Sequence, residues 1–394
     1  MQIHELERTF VYHSPQYPGF TSWVGLWNMP DGSIMCSFIQ ATGPLVNRPK
    51  APENIRKYLS WPPAGHGDEY DMTGLDLRHV HLRSTDFART WTLVSSIPFT
   101  SCMNGAPGEV EEVIPDESAE FGGVILRGIW GPYLPYDNDL PENGFIERST
   151  DGSRSWGPPE VIYDEKNIMF QLKRIRPLRD GRILAGGGLY FTDPKNNYRY
   201  SWHQNTLQAF FVSDSNGTNW RGPIPVTPDH QVGQFSGEEF DWVELENGDI
   251  LCVLRTQTVS DNQQATPTEI SRSSQQRRIT RLVKTSESWE ATAVDMAPFP
   301  HSGHPEMLRT REGIILHVAT SGISGSNDEG ESWTHLDLTP QIDWHGWCGP
   351  GSPYYPKAIH MPNGEILVLG HVGGDNGYGT IDQSIVGMRF RLDM

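Results

Sequence analysis

The sequence predicts an all-β protein, a ring of six four-stranded antiparallel sheets (a six-bladed β-propeller) occupying one domain over residues 1–394. Three observations lead there: a recurring Ser-x-Asp-x-Gly-x-Ser/Thr-Trp motif, a recurring Asp-Gly or Asn-Gly between apolar runs, and a composition hostile to helices. The chain carries 40 Gly, 30 Pro and 13 Trp; Gly and Pro interrupt helices, and turn-rich, aromatic-rich chains of this length favour sheets.

The motif sets the number of sheets. Ser326, Asp328, Gly330, Ser332 and Trp333 match it in full. Ser149, Asp151, Ser155 and Trp156 match with Ser153 at the glycine place, and Ser84, Asp86, Thr90 and Trp91 match with Ala88 there. Ser213, Gly217 and Trp220 keep the frame with the acid one place early, at Asp214; around Trp289 only Ser-Trp survives. These tryptophans follow one another at 65, 64, 69 and 44 residues, and a repeat of about 65 divides the chain into six units. In each motif the Asp and Ser suit the amides of a tight turn, the Gly suits positive φ, and the Trp suits the space between neighbouring sheets. Asp86, Asp151 and Asp328 are therefore structural.

The hairpins give each unit its inner strands. In order, they are Trp23–Met29 with Ile34–Ile39 around Asp31-Gly32, and Ile175–Leu178 with Ile183–Ala185 around Asp180-Gly181. Next come Trp242–Leu245 with Ile250–Leu254 around Asn247-Gly248, and Met307–Leu308 with Ile314–Val318 around Glu312-Gly313. Ile359–Met361 with Ile366–Leu369 around Asn363-Gly364 is the last. The unit from Glu109 to Tyr163 is the sixth, with a poorer inner turn. A third strand, the motif turn and an outer strand complete each blade. The last unit stops after its third strand, at Phe390–Leu392, and the alternating run Glu5–Tyr12 is suited to supply the missing outer strand and close the ring. The Pro- and Gly-rich stretch from Thr42 to Asp76 is expected to be a loop over one mouth.

Charge and cysteine content narrow the chemistry. With 31 basic and 49 acidic residues the formal charge is −18, which argues against nucleic acid or an anionic membrane as partner. No apolar run approaches the roughly 20 residues of a spanning helix. The N-terminus lacks a basic stretch followed by an apolar one, so the chain as given is expected in the cytoplasm, or in an exported form if a signal has been removed. Cys36, Cys102, Cys252 and Cys348 are far apart and form no CxxC pair, so neither zinc nor a disulfide framework is expected; Cys36 and Cys252 read as buried thiols.

Propellers gather ligands where inner strands converge, so polar residues flanking those strands are the candidates. Glu238 and Glu239 precede one inner strand, Arg255 ends its partner, and Tyr354 and Tyr355 precede the last; His304, Glu306, His371, Arg174 and Arg176 hold similar places. A Glu can take a phenol proton and make a Tyr nucleophilic, and Arg matches a substrate carboxylate.

The motifs resemble the Asp-boxes of the sialidase-like superfamily of β-propellers. GEEFDWVELENGDILCVLR is similar to the sialidase segment in which a Glu precedes the inner strand and an Arg closes its hairpin, with Glu239 and Arg255 in register. SPYYPKAIHMPNGEILVL is similar to the segment carrying the nucleophilic Tyr, with Tyr355 in register. The resemblance implies a Tyr355 nucleophile, Glu239 as its base, and a general-acid Asp on a first-blade loop, for which Asp68, Asp71 and Asp76 are the candidates. Two expected arginines are missing: Ser22 and Trp23 stand where the first inner strand carries one, and HVATSGISGSNDEG on the fifth blade holds none. Arg174, Arg176 or Arg127 are left as possible substitutes, and Trp23 as a contact for the substrate.

The histidines point to a second chemistry. His79 and His81 alternate on one strand, and His304, His317, His345 and His371 belong to the last two blades; neutral His serves as acid or base near pH 7. In composition alone the chain resembles polysaccharide lyases on this fold, including those that release rhamnose linked to glucuronate. His79-Val-His81 has HxH spacing but no clear third ligand, so no metal and no cofactor are expected. Trp61, Trp344 and Trp347 are sugar platforms or packing residues, and the Asn216-Gly-Thr218 sequon lies in a motif turn. Together these readings predict an exo-acting glycoside hydrolase on an acidic or deoxy-sugar-containing glycan, with an oligosaccharide or glycoconjugate as partner. A lyase is the first alternative and a non-catalytic glycan-binding propeller the second.

Overall fold

The computed structural model describes residues 1–16, 19–44, 47–49, 74–98, 111–129, 143–165, 168–191, 206–214, 216–228, 239–255, 276–300, 304–319, 322–336, 354–373 and 383–393. Its strands form six four-stranded antiparallel sheets. The inner strands of blades one to six are Gly19–Asn28, Glu111–Pro115, Ile168–Pro177, Phe240–Glu244, Glu306–Arg309 and Tyr354–His360. Each touches the inner strand of the next blade, all the way round. This is a six-bladed propeller. Among the described residues no helix is long and apolar enough to cross a membrane.

Blades one to five each use four consecutive strands, and the sixth is completed by the N-terminus. There Gln2–His13 pairs antiparallel with Gln383–Asp393, from Gln2 opposite Asp393 to His13 opposite Ser384. The strand is longer than the alternation at Glu5–Tyr12 suggests, and it removes the edge that an open sixth blade would expose.

The core lies between blades. Phe210 of blade three meets Trp242 of blade four at 4.7 Å, edge to face, and Val24 and Phe38 of blade one share a cluster with Ile359, Leu367 and Ile385 of blade six. Cys36 and Cys252 are buried inside such clusters.

The motif turns hold themselves together as their residue types require. In blade five Ser326 Oγ donates to Asp328 and accepts the Gly330 amide at 2.9 Å, while Asp328 accepts the Ser332 amide at 2.9 Å. Blades one and two repeat this with Ser84/Asp86 and Ser149/Asp151. Left-handed backbone is demanded at the glycine place whatever occupies it: φ is 85° at Gly330, 63° at Ala88 and 71° at Ser153. In blade two the inner turn is a longer excursion with a short 3-10 turn at Glu120–Gly122 in place of a two-residue hairpin.

Direction fixes where a site can lie. The Asp-Gly and Asn-Gly hairpins sit where inner strands end, at the lower mouth. At the upper mouth, where inner strands begin, three strands carry a bulge: between Ser22 and Gly25, Leu172 and Arg174, and Tyr354 and Lys357. Bulges of this kind redirect side chains at ring rims and beside active sites.

Candidate active site

Three inner strands enter the upper mouth side by side, and their first residues meet. Tyr355, at the start of the blade-six strand, donates its phenol hydrogen to Glu239 Oε1 of blade four at 3.0 Å. His304, which leads into the blade-five strand between them, has its ring 5.5 Å from that of Tyr355. His371, on the strand paired with the blade-six inner strand, stacks on Tyr355 at 5.9 Å and 16°. Tyr355 is held at φ 48° beside the bulge. Left-handed backbone is unfavourable for an aromatic residue, so the surrounding contacts impose this orientation. Glu239, His304 and His371 are buried, and Tyr355 is half-buried.

Two residues further along each strand, a second layer forms the floor. This is the period of a β-strand, which returns side chains to one face at every second residue. Glu239 leads to Asp241, His304 to Glu306 and Tyr355 to Lys357. Arg174 and Arg176 reach in from blade three: Arg174 bonds Asp241 at 3.2 Å and also Glu306, and Arg176 bonds Asp241 at 2.7 Å and the Met307 carbonyl at 2.6 Å. Asp241 also accepts the Trp242 and Met307 amides, Glu306 accepts the Ala358 amide, and Lys357 Nζ lies 3.5 Å from Glu306. Charges so deeply placed are held only when paired and hydrogen-bonded. Burial alone would raise the Glu306 carboxyl, but Arg174, Lys357 and Arg176 hold it well below the usual carboxylate range. Glu112 of blade two, half-buried beside these arginines, is raised by burial against their pull.

The imidazoles of the upper layer are neutral. Burial takes His371 down to about 3. Burial, with the positive charge of Lys357, also takes His304 well below its ordinary value, against the opposing pull of Glu239.

The structure thus joins Tyr355, Glu239, His304 and His371 and separates others from them. Arg174 and Arg176, expected on a substrate carboxylate, are committed to Asp241 and Glu306. Arg127 is likewise committed, to Glu147 and to His79 Nδ1 at 2.7 Å. His81, a catalytic candidate in sequence, lies on the third strand of blade one. It is buried with its Nδ1 3.2 Å from the Ser95 hydroxyl and its ring against Trp27 and Trp156, so it packs blade one on blade two. His79 is beside it, ring to ring at 4.1 Å; among the described residues no group of three or more potential metal ligands occurs. Trp23 is buried in the core cluster against which Tyr355 packs, so it backs the site and does not line it. Asp76 begins the third strand of blade one and pairs with Arg78 at 3.0 Å. Asp68, Asp71, Glu238, Trp61, Trp344, His345 and Trp347 lie outside the described residues, as does the Arg255 side chain. Sequence reasoning missed Asp241, Lys357 and Glu112. The available signal was a charge inside an otherwise apolar inner strand, which is rarely buried without a partner.

No protein-family model matches the chain, and no curated protein matches its sequence. Solved structures do match its fold. A Dyadobacter fermentans protein of unknown function superposes with TM-score 0.64 at 18% identity, over 99% of both chains. An α-L-arabinofuranosidase from Fusarium graminearum superposes with TM-score 0.61 at 11% identity, over 98% of this chain and 97% of that one. The NanB sialidase from Streptococcus pneumoniae gives 0.58 at 11%, over 98% and 70%. The chain shares the six-bladed propeller of these sialidases and arabinofuranosidases.

Proposed function

We propose that the chain is a glycoside hydrolase acting at the end of a glycan, with the Tyr355–Glu239 pair as its nucleophilic centre. The observation that carries this reading is the 3.0 Å hydrogen bond from the phenol to a buried carboxylate, between residues from blades four and six that approach each other only in the folded ring. Glu239 takes the phenol proton as Tyr355 Oη attacks the anomeric carbon; the glycosidic bond breaks and the leaving oxygen takes a proton from a general acid. Water then releases the sugar from Tyr355, which recovers its proton. Asp68 and Asp71 are the proposed acids, since the segment carrying them joins two described strands at this mouth. Solved propellers of the same fold include an arabinofuranosidase bound to arabinobiose and sialidases, which supports glycan chemistry here.

The commitment of Arg174, Arg176 and Arg127 shifts the proposed substrate from the acidic sugar toward the neutral or deoxy sugar. All three are taken up by carboxylates of the protein itself and so are not left to hold a substrate carboxylate. The same observation favours a second reading of the pair. A carboxylate nucleophile is disfavoured only when the sugar is itself anionic, so for a neutral sugar Glu239 is able to attack with Tyr355 orienting it.

A panel of 4-nitrophenyl glycosides (α-L-arabinofuranoside, α-L-rhamnoside, β-D-glucuronide and the α-sialoside) tests the proposal, read as nitrophenolate release and as absorbance of a new double bond. Release without that absorbance, reduced at least ~1,000-fold in Tyr355→Phe and Glu239→Gln, is expected of an activated nucleophile. Absorbance from the sugar itself assigns elimination and overturns hydrolysis. Full activity of both variants removes the pair from the mechanism. Trapping with a 2-fluoro glycosyl fluoride, followed by peptide mapping, tells which of the two residues bonds to the sugar.

A further inference from the structure

His304 is the polar group that blade five brings to the upper layer. It is 2% exposed, and among the described residues neither ring nitrogen has a hydrogen-bond partner. Buried polar groups are ordinarily satisfied, and an imidazole carries two groups to satisfy. Its position is also specific. The bond between Glu239 and Tyr355 joins blades four and six across blade five, and His304 is what blade five contributes at that level, with its ring against Tyr355. The floor beneath is closed by Glu306 and Lys357, whose own partners are present. The ring that carries the unpaired nitrogens therefore lies beside the Tyr355–Glu239 pair, which a reacting sugar has to approach.

We propose that His304 grips a hydroxyl of the reacting sugar, and so makes the site selective for a sugar that carries a hydroxyl, and not a carboxylate, at that position. The inference rests on the hydrolase reading above and names its substrate class. A neutral imidazole presents one N–H donor and one lone pair. A hydroxyl both accepts and donates, and so suits either nitrogen. A carboxylate only accepts: it suits one nitrogen and sets its charge against the lone pair of the other. Burial and the neighbouring lysine charge of Lys357 keep the ring in this neutral form. His304 is thus assigned a binding and positioning role. Bonds moved in the reaction remain with Tyr355, Glu239 and the acid.

The test is a cycle between enzyme and substrate. Wild type, His304→Leu and His304→Asn are compared on the panel glycoside cleaved fastest and on its monodeoxy analogues, each lacking one ring hydroxyl. A site built to bond a hydroxyl rejects the analogue lacking it by large factors. For wild type, one deoxy analogue is expected to lose ~100-fold or more in kcat/KM. His304→Leu is expected to lose about as much on the parent sugar, yet to treat the parent and that one analogue within ~3-fold of each other. His304→Asn, which keeps a donor and an acceptor, restores part of the discrimination, and it carries the cycle alone if His304→Leu does not fold. Equal losses on every analogue mean a structural role and overturn the inference. Inactive Tyr355→Phe beside unchanged discrimination in the His304 variants sinks the inference and spares the hydrolase reading. Full activity of both Tyr355→Phe and Glu239→Gln, or no turnover of any panel glycoside by wild type, sinks both.

Discussion

Ser153 shows how much one residue can work against its own turn. It occupies the glycine place of the blade-two motif at φ 71°, is fully buried, and its Oγ has no partner among the described residues. The useful contacts are main-chain ones: its amide donates to Ser149 Oγ at 2.9 Å, and its carbonyl accepts from Ser95 at 2.6 Å. Ser153→Gly keeps both. It relieves a left-handed backbone worth ~1 kcal/mol and a buried orphan hydroxyl worth ~1–3, against ~0.5–1 of extra freedom in the unfolded chain. Stabilisation by ~1 kcal/mol is expected from the urea midpoint, and a destabilised variant shows the hydroxyl to be bonded after all. At this scale the sequence was a mixed guide. Tyr355 and Glu239 were legible because each sits at a fixed offset from a hairpin that the sequence announces. The fate of Arg174 was not: its partners are 67 and 132 residues away, and no local pattern says which of several carboxylates a guanidinium meets.

At the scale of strands, the inner six do two jobs in consecutive layers. The upper layer carries the pair proposed to react, and the lower one stitches four blades together by Arg174, Arg176, Asp241, Glu306 and Lys357. Removing one member of a buried ionic network leaves its partners uncompensated, at about 3–5 kcal/mol. Asp241→Asn keeps the shape and loses the charge that both arginines face, so a loss near 3 kcal/mol is expected in urea unfolding. If Asp241→Asn leaves stability unchanged, the network is not what holds the floor. The strands and their hairpins were legible from apolar runs and Asp-Gly or Asn-Gly pairs. The bulges at Ser22/Gly25, Leu172/Arg174 and Tyr354/Lys357 were not, because an extra residue is defined only by the partner strand. Each shifts the alternation of the strand, and the one in blade six accompanies the left-handed backbone that holds Tyr355 against Glu239.

Across the whole molecule, burial of neutral histidines ties stability to pH. His79, His81, His304 and His371 are all driven down by burial, His371 to about 3, while in the unfolded chain each titrates near 6.5. Below that pH the unfolded chain binds protons that the folded chain refuses. Stability is therefore complete above ~pH 6.5 and falls as pH drops toward the folded values. Each histidine contributes up to ~1.4 kcal/mol per pH unit within that window. Urea unfolding at pH 7.5, 6.5 and 5.5 is expected to show a plateau and then a fall, shallower in His371→Phe; a flat profile between pH 7.5 and 5.5 refutes it.

The ring closes by joining Gln2–His13 to Gln383–Asp393, and this sets an order of events during synthesis. A strand made before blade one pairs with a strand made after blade five. At translation rates of 5–20 residues per second, the leading segment waits roughly 20 to 80 seconds for its partner to leave the ribosome. Blades one to five can assemble as they emerge, but blade six cannot, and until then Ile3 and the open flank of the growing stack stay exposed. The flank stays uncovered for as long as the ribosome takes to travel from Gln2–His13 to Gln383–Asp393.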